Sequence, residues 1–514
     1  MISLARISST TALVTLMAAP VCADVSADDV WDAFTSYYQG VGLKVEANQT
    51  RSGNRLDISD LKISAVFPFE LGSIAITTTG FGLIEIGDGT VEMALPDNLP
   101  LAMALSLPED IYVTATIDYQ VTGYHAVASG DPHNITIKSE MDSLAMELAD
   151  VNITAAAVAD QEFDFKFRGL MRGSISESTY SRTDMLIMTQ GFSYDSLQIE
   201  ATFSGLKAGN DEVVSTASML INGAKSNSRL AIPAAGIDLL NLPAQLREGL
   251  SLGFTSEMQT QHSTQQVTAG DNMISDQTTT VENSNTSLAF SKSGITIKAT
   301  TGAYSIDMLM PEVPFPIKAA FSSVGAELSL PLLKSDTDQG FVYMLDLNGI
   351  QIDDGIWNQF DPDAVLPRDS AKFLLDITGK GRLYHDLLDF DAVTQVFDEG
   401  IKFGELTALT LNDMNITAIG ARLTGNGAFT FDNSDHETYG GMPAPTGSAH
   451  FFMTGLNGVL DGLVNLGLMK NDEVFAMRMG MGMFAVAGDS DDTLVSDIEV
   501  LPDGQIMANG KRIR

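Results

Sequence analysis

His125, His133, His262, His385, His436 and His450 are the six imidazoles of the 514-residue chain. A zinc-binding helix sets two His around a Glu so that both rings reach one ion from one helix face. His436-Glu437 begins such a pattern, but Gly440 stands where the second His belongs. No Gly-x-Ser-x-Gly elbow and no phosphate loop ending in Lys-Ser/Thr occurs. Gly480-Met481-Gly482-Met483-Phe484-Ala485 matches the loose dinucleotide fingerprint. That fingerprint works only where a strand turns into a helix whose amides meet pyrophosphate. Here it falls inside a predicted helix, and its glycines are read as allowing close packing, at about 1 kcal/mol of helix stability each. Met477, Met479, Met481 and Met483 alternate, and thioethers hold soft Cu(I). On a strand the four would share a face; on a helix they split into two pairs. With 24 methionines in the chain, adaptable core filling is the reading taken. Acidic groups at Asp489, Asp491 and Asp492, at Asp353-Asp354, and at Asp361 and Asp363 lack the spacing of a calcium loop. They suit turns and helix caps. No residue is assigned a catalytic, cofactor-binding or metal-ligating role, and no cofactor is expected.

The elements that would position any such group are mostly strands. Ser26, Asp28 and Asp29 precede an apolar set at Val30, Trp31, Phe34, Tyr37 and Tyr38. This predicts a capped helix ended by Gly40 and Gly42, with its aromatic face buried against a sheet. From about residue 43 to 440 the period changes to two: residues 71–77, 112–121, 135–138, 163–167 and 324–330 mix apolar with polar or small residues between Gly, Asn, Asp and Ser. Many antiparallel strands follow, one face buried and one wet. Residues 259–287 are rich in Gln, Thr, Ser and Asn, as a solvated hairpin pair or a mobile excursion. Helical signals occur near 237–250 and 387–401, and two short helices are predicted over 456–469 and 471–488. Residues 494–500 alternate as a strand, Pro502-Asp503-Gly504 turns, 505–508 returns, and Asn509-Gly510 turns again.

A quasi-repeat runs through the strands. Ile58-Ser59-Asp60-Leu61-Lys62-Ile63-Ser64-Ala65 returns as Leu148-Ala149-Asp150-Val151-Asn152-Ile153-Thr154-Ala155 and as Leu411-Asn412-Asp413-Met414-Asn415-Ile416-Thr417-Ala418. Weaker echoes lie at 196–201 and 294–299. In each, the residue after the Asp position, the Ile two later and the Ala two beyond fall on one strand face. The irregular spacing between copies excludes a fixed-period solenoid but suits stacked hairpins in a long sheet.

The formal charge of −37 disfavours phosphate backbones and anionic headgroups as partners, so no nucleic acid is expected. Residues 1–23 carry Arg6, an uncharged apolar run from 11 to 21, and Val21-Cys22-Ala23 before Asp24. This reads as a cleavable secretory signal; branched Val21 argues against Cys22 as a lipidated residue. Cys22 is the single cysteine, so the mature chain is cysteine-free. That excludes thiol catalysis and thiolate metal sites. No later segment has the ~18 apolar residues of a spanning helix.

Two stretches resemble a known family. Ile356-Trp357-Asn358-Gln359-Phe360-Asp361-Pro362 with Leu366-Pro367-Arg368-Asp369 is similar to a characteristic stretch of the exported alphaproteobacterial family catalogued as domain of unknown function 2125. The end of the chain is similar to the end of that family at residues 425–431, 440–447 and 466–468, at Asp491-Asp492-Thr493-Leu494, and at Asn509-Gly510-Lys511-Arg512. The Trp31 helix and Arg51-Ser52-Gly53-Asn54 agree as well. The resemblance implies an exported location and a shared architecture, and brings no catalytic residues.

The expected fold is mainly β: a large twisted antiparallel sheet, as groove or sandwich, with an N-terminal helix and a C-terminal helical pair plus hairpin. The expected organisation is signal peptide (1–23), N-terminal helix and β-rich half (24–257), polar excursion (258–290), second β-rich half (291–455), and helical pair with hairpin (456–514). The expected function is non-enzymatic: a periplasmic envelope protein with a lipid or other apolar ligand along the sheet. The alternatives are a hydrolase using paired carboxylates ~5–10 Å apart and an outer-membrane barrel. The latter is opposed by 7% aromatic content and a terminal Arg514.

Overall fold

The computed structural model describes residues 24–155, 163–400 and 402–514; the signal peptide expected over 1–23 lies outside them. In chain order the elements are α1 (Ala27–Gly40), β1 (Lys44–Ser52), β2 (Arg55–Phe67), β3 (Gly72–Glu85), β4 (Val91–Ala94), β5 (Asn98–Leu107), β6 (Ile111–Thr122), β7 (His125–Asp131), β8 (Asn134–Thr154), β9 (Asp164–Arg182), β10 (Met185–Ala208) and β11 (Asp211–Pro233). Then come α2 (Leu242–Glu248), β12 (Ser251–Ala269), β13 (Asn272–Ser291), β14 (Gly294–Thr301), β15 (Tyr304–Leu309), β16 (Ile317–Phe321), β17 (Ser323–Leu330), β18 (Gln339–Ile352), α3 (Asp354–Trp357), β19 (Ala371–Leu383) and α4 (Phe390–Glu399). The chain ends with β20 (Gly404–Ala418), β21 (Ala421–Asp432), β22 (Ala444–Thr454), α5 (Leu456–Asn465), α6 (Asn471–Phe484), β23 (Val486–Ala487), β24 (Thr493–Val500), β25 (Ile506–Ala508) and β26 (Lys511–Arg512). The protein is mainly β, as its alternation predicts. The polar stretch 258–290 falls largely in the β12–β13 hairpin.

All 26 strands belong to one antiparallel sheet, laid down almost in chain order. Among the described residues, β1 pairs with β2 and β26 with β25, and the two are not paired with each other. A topological unit also recurs. β3 pairs with both β4 and β5, these continue into β7 and β6, and both of those pair with β8. β13 branches in the same way into β14 and β15, then β17 and β16, which rejoin on β18.

The quasi-repeat is a β-bulge signature. In β8 the register slips between Leu148 and Asp150, in β20 between Leu411 and Met414, and in β2 between Ser59 and Lys62 relative to β1. The extra residue changes which parity faces the core. Leu148 and Val151 therefore pair with Ile117 and Ala115, on one face of β6. Leu411 and Met414 likewise pair with Ile377 and Leu375, on one face of β19. In β2, Ile58 and Leu61 both enter the core beneath α1.

A crease crosses the long strands. Gly123 lies opposite Asp142, Asp142 opposite Gly173, Gly173 opposite Asp195, Asp195 opposite Gly223, Gly223 opposite Gln259, and Gln259 opposite Asn283. Gly123, Gly173, Gly223 and Asn283 have φ of 65°, 63°, 60° and 52°, the left-handed region that glycine and asparagine tolerate. The apolar parity changes there too. On one arm Tyr180, Met188, Leu230, Leu252 and Phe290 stand in register; on the other Met171, Leu197 and Ile221 do.

Two buried clusters anchor helices to the sheet. Ser26 Oγ accepts from Asp29 N at 3.2 Å while Asp29 Oδ2 accepts from Ser26 N at 2.9 Å, the capping box that starts α1. Trp31 stacks on Phe34 and meets Phe81 edge-on, above buried Leu56, Ile58, Leu61, Leu83 and Val91. The second cluster sets Leu246 of α2 on Ile232 and Leu186.

Candidate functional site

Beyond these anchors one face of the sheet stays apolar, with no element covering it among the described residues. Phe254, Leu288, Ile297, Leu328, Tyr343 and Ile377 come from six different strands, β12 to β14 and β17 to β19, and stand side by side through successive registers. At ~4.8 Å per strand the row extends about 24 Å. Phe254, Ile297, Leu328 and Tyr343 keep 37%, 41%, 36% and 44% of their surface exposed. A second row runs Val324, Leu347, Phe373, Ile416, Leu423, Met453, Leu494. The reverse face is polar along the matching line: Thr255, Ser287, Lys298 and Glu327, with Lys298 Nζ 2.9 Å from Glu327 Oε2. Of the exposed apolar residues on that face, Ile175 pairs with Glu140 and Ser193, whereas Phe452 and Val486 both adjoin Val495 at the β22–β24 end. Burial pushes the phenols of Tyr180 and Tyr194, on the apolar face, above their ordinary range; nearby Tyr38 and Tyr37 add to the effect at Tyr180. Both rings remain neutral.

At the β20–β24 end the face is roofed. α5 buries Val459 and Leu460, whereas α6 buries Val474 alone among its residues. Polar contacts hold α6 at two points. Arg478 donates to Asn457 Oδ1 and Asp461 Oδ1, both at 2.8 Å. Phe484 O accepts from Ser496 Oγ at 2.7 Å and Asn509 Nδ2 at 2.9 Å. Between them lies a cavity of about 460 Å³, floored by Met414, Leu423, Phe451, Met453 and Leu494 and roofed by Met477, Gly480, Met481, Phe484 and Ala485. Ser496 is its one polar lining residue. The methionine run divides as a helix requires, with Met477 and Met481 lining the cavity; but Met477, Met479 and Met483 keep 45%, 62% and 63% of their surface exposed, which corrects the expectation that the run fills the core. The glycines do not serve close packing. A Cβ on Gly480 or Gly482 would meet nothing within 4 Å, so the expectation drawn from their sequence is corrected.

Groups suited to other chemistry lie apart from this face. Asp118, Glu147, Arg168 and Glu200 are neighbours in register around a cleft of about 350 Å³. Glu147 accepts both Arg168 bonds, at 3.1 and 2.9 Å, and both side chains are largely exposed. This is a solvated ion pair. His450 Nδ1 is 2.5 Å from Asp497 Oδ1 at the surface, and His436 meets Lys402. Among the described residues no three His, Cys, Asp or Glu side chains converge on a metal position. The acidic clusters serve turns and caps. Asp361, fully buried, accepts from Val365 N and Leu366 N. Asp492 accepts from Asn457 N and Gly458 N at the start of α5. Desolvation opposes ionisation of Asp492, but these bonds outweigh it and hold the carboxyl below its ordinary range. Asp353 accepts from Gly355 N to open α3.

No family model matches the chain, and no curated protein matches it. Among solved structures it is similar to the crystal structure of the ferric citrate transporter FecA in the unliganded form, at 8% identity and a TM-score of 0.15, over 91% of this chain and 76% of that one. A score that low carries no argument. Among the described residues, no helix is long and apolar enough to cross a membrane.

Proposed function

We propose that this protein is an exported envelope protein that holds a lipid acyl chain or other apolar ligand along one face of its sheet, as a member of the family its sequence resembles. One observation carries the reading: the uncovered register row from Phe254 to Ile377. Soluble proteins rarely leave a contiguous apolar strip of this extent exposed unless something binds there. At about 25 cal/mol per Å², such a strip favours a long, non-directional apolar guest. The polar reverse face keeps the sheet in water while the other face is occupied.

The test is native mass spectrometry of the mature protein purified from its own envelope without detergent, paired with lipid extraction of the same sample. The expected result is a stoichiometric lipid adduct that names the cargo. A bare protein mass with a lipid-free extract overturns lipid carriage. A dimer that protects the Phe254–Ile377 row would instead assign the face to a second copy.

A further inference from the structure

We infer that the cavity beneath α6 is a terminal chain pocket, in which Gly480 is the notch that admits the end of one hydrocarbon chain; this rests on the reading of the sheet face as an apolar binding surface. The cavity floor continues that face without a break. Met414 is in register with Leu375 and Leu345, and Leu423 with Ile416 and Phe373. A chain lying across β17 to β19 therefore meets apolar side chains at every strand until it passes under the helix. The lining has one hydroxyl and no charged group, which suits methylenes and disfavours a headgroup. The volume lies in the range of small-ligand sites. Methionines on floor and roof, Met414, Met453, Met477 and Met481, can repack around chains of differing length and unsaturation.

Gly480 supplies the second observation. A glycine within a helix costs about 1 kcal/mol relative to alanine and is retained where a neighbour approaches too closely for a side chain. Here no atom lies within 4 Å of the position a Cβ would take, yet Gly480 lines the cavity. The missing side chain leaves space rather than contact. α6 is also pinned at Arg478 and Phe484 through polar groups, so its last turns, which carry Gly480 and Met481, roof the cavity between two polar anchors.

The experiment uses the full mature protein and palmitate carrying a mid-chain diazirine, with adducts mapped by peptide mass spectrometry after photolysis. Adducts on α6 and on Met414 or Met453 are expected. Gly480→Phe should reduce them about tenfold, and Gly482→Phe, which adds the same ring outside the cavity lining, should leave them unchanged. Met481→Trp, filling the cavity from the roof, repeats the test should Gly480→Phe melt early. Adducts confined to the Phe254–Tyr343 row, or α6 adducts indifferent to both cavity-filling variants, overturn the terminal pocket and leave the apolar face as the site. No adducts anywhere overturn both.

Discussion

Gly173 of β9 and Asp195 of β10 share one place on the crease: a methyl group on Gly173 would fall on the Asp195 carboxylate. Two constraints thus meet at Gly173, a φ of 63° and an occupied neighbour site. Gly173→Ala should destabilise the sheet by about 1–3 kcal/mol, read as a lower denaturation midpoint. Gly209→Ala, with a similar φ of 67° and open space around it, should cost only the backbone strain. Equal costs would remove the steric part of the argument, and Asp195→Ala should partly rescue Gly173→Ala alone.

Deleting Asp60 tests the bulge. Without the extra residue, Leu56, Ile58, Leu61 and Ile63 fall two places apart along a regular strand and keep one face, so both halves of the α1 seat are retained. The expected outcome is an unshifted Trp31 fluorescence and intact resistance to proteolysis within 27–40; a red shift with rapid cleavage there would mean that the bulge geometry itself, not the parity of the apolar residues, seats α1. Asp60→Gly keeps the residue count and the φ of 51°; it should leave α1 docked despite losing the Asn48 Nδ2 bond of 2.7 Å.

The seat of α1 should also be acid-sensitive through Glu85. Its carboxylate accepts from Arg51 Nη2 at 2.7 Å and from Ala27 N at 3.1 Å. Those bonds, Arg51 first, hold the carboxyl below its ordinary value of 4.5. A carboxyl depressed in the folded state adds stability above its unfolded value and loses it as pH falls through the folded one. Near-UV dichroism of Trp31 should therefore decline below about pH 4.5 in the wild type. Glu85→Gln should be less stable at pH 7 with a flatter acid limb; parallel limbs would exclude Glu85 as the sensor.

Charge on the open row tests the binding face directly. Leu328→Lys places an ammonium among Ile297 and Tyr343, its register neighbours. The residue is already 36% exposed, so the lysine can reach water, and the thermal midpoint should shift little. Retained lipid should fall about tenfold by extraction. Glu327→Lys on the reverse face should leave lipid content unchanged; equal losses would mean that net charge, not the row, governs binding.

Local structure was legible in the residues alone. Ser26 with Asp29 set the start of α1, and the period-two alternation set a one-sided sheet. The helix favoured over 471–488 divided the four methionines into two pairs. The repeated motif was legible as a unit, but its purpose was not, because a bulge is a relation between two strands and only pairing reveals which residue is extra. The crease was hidden for the same reason: Gly123, Gly173 and Gly223 are scattered in the chain, and registers alone bring them into one line. Likewise, alternation says that a strand has an apolar face and is silent on whether anything covers it. Tertiary structure decided that α1 and α2 seal one end, that α6 roofs the other, and that the row from Phe254 to Ile377 between them lies open. Burial is a property of neighbours in space, and those neighbours come from six strands spread over more than a hundred residues.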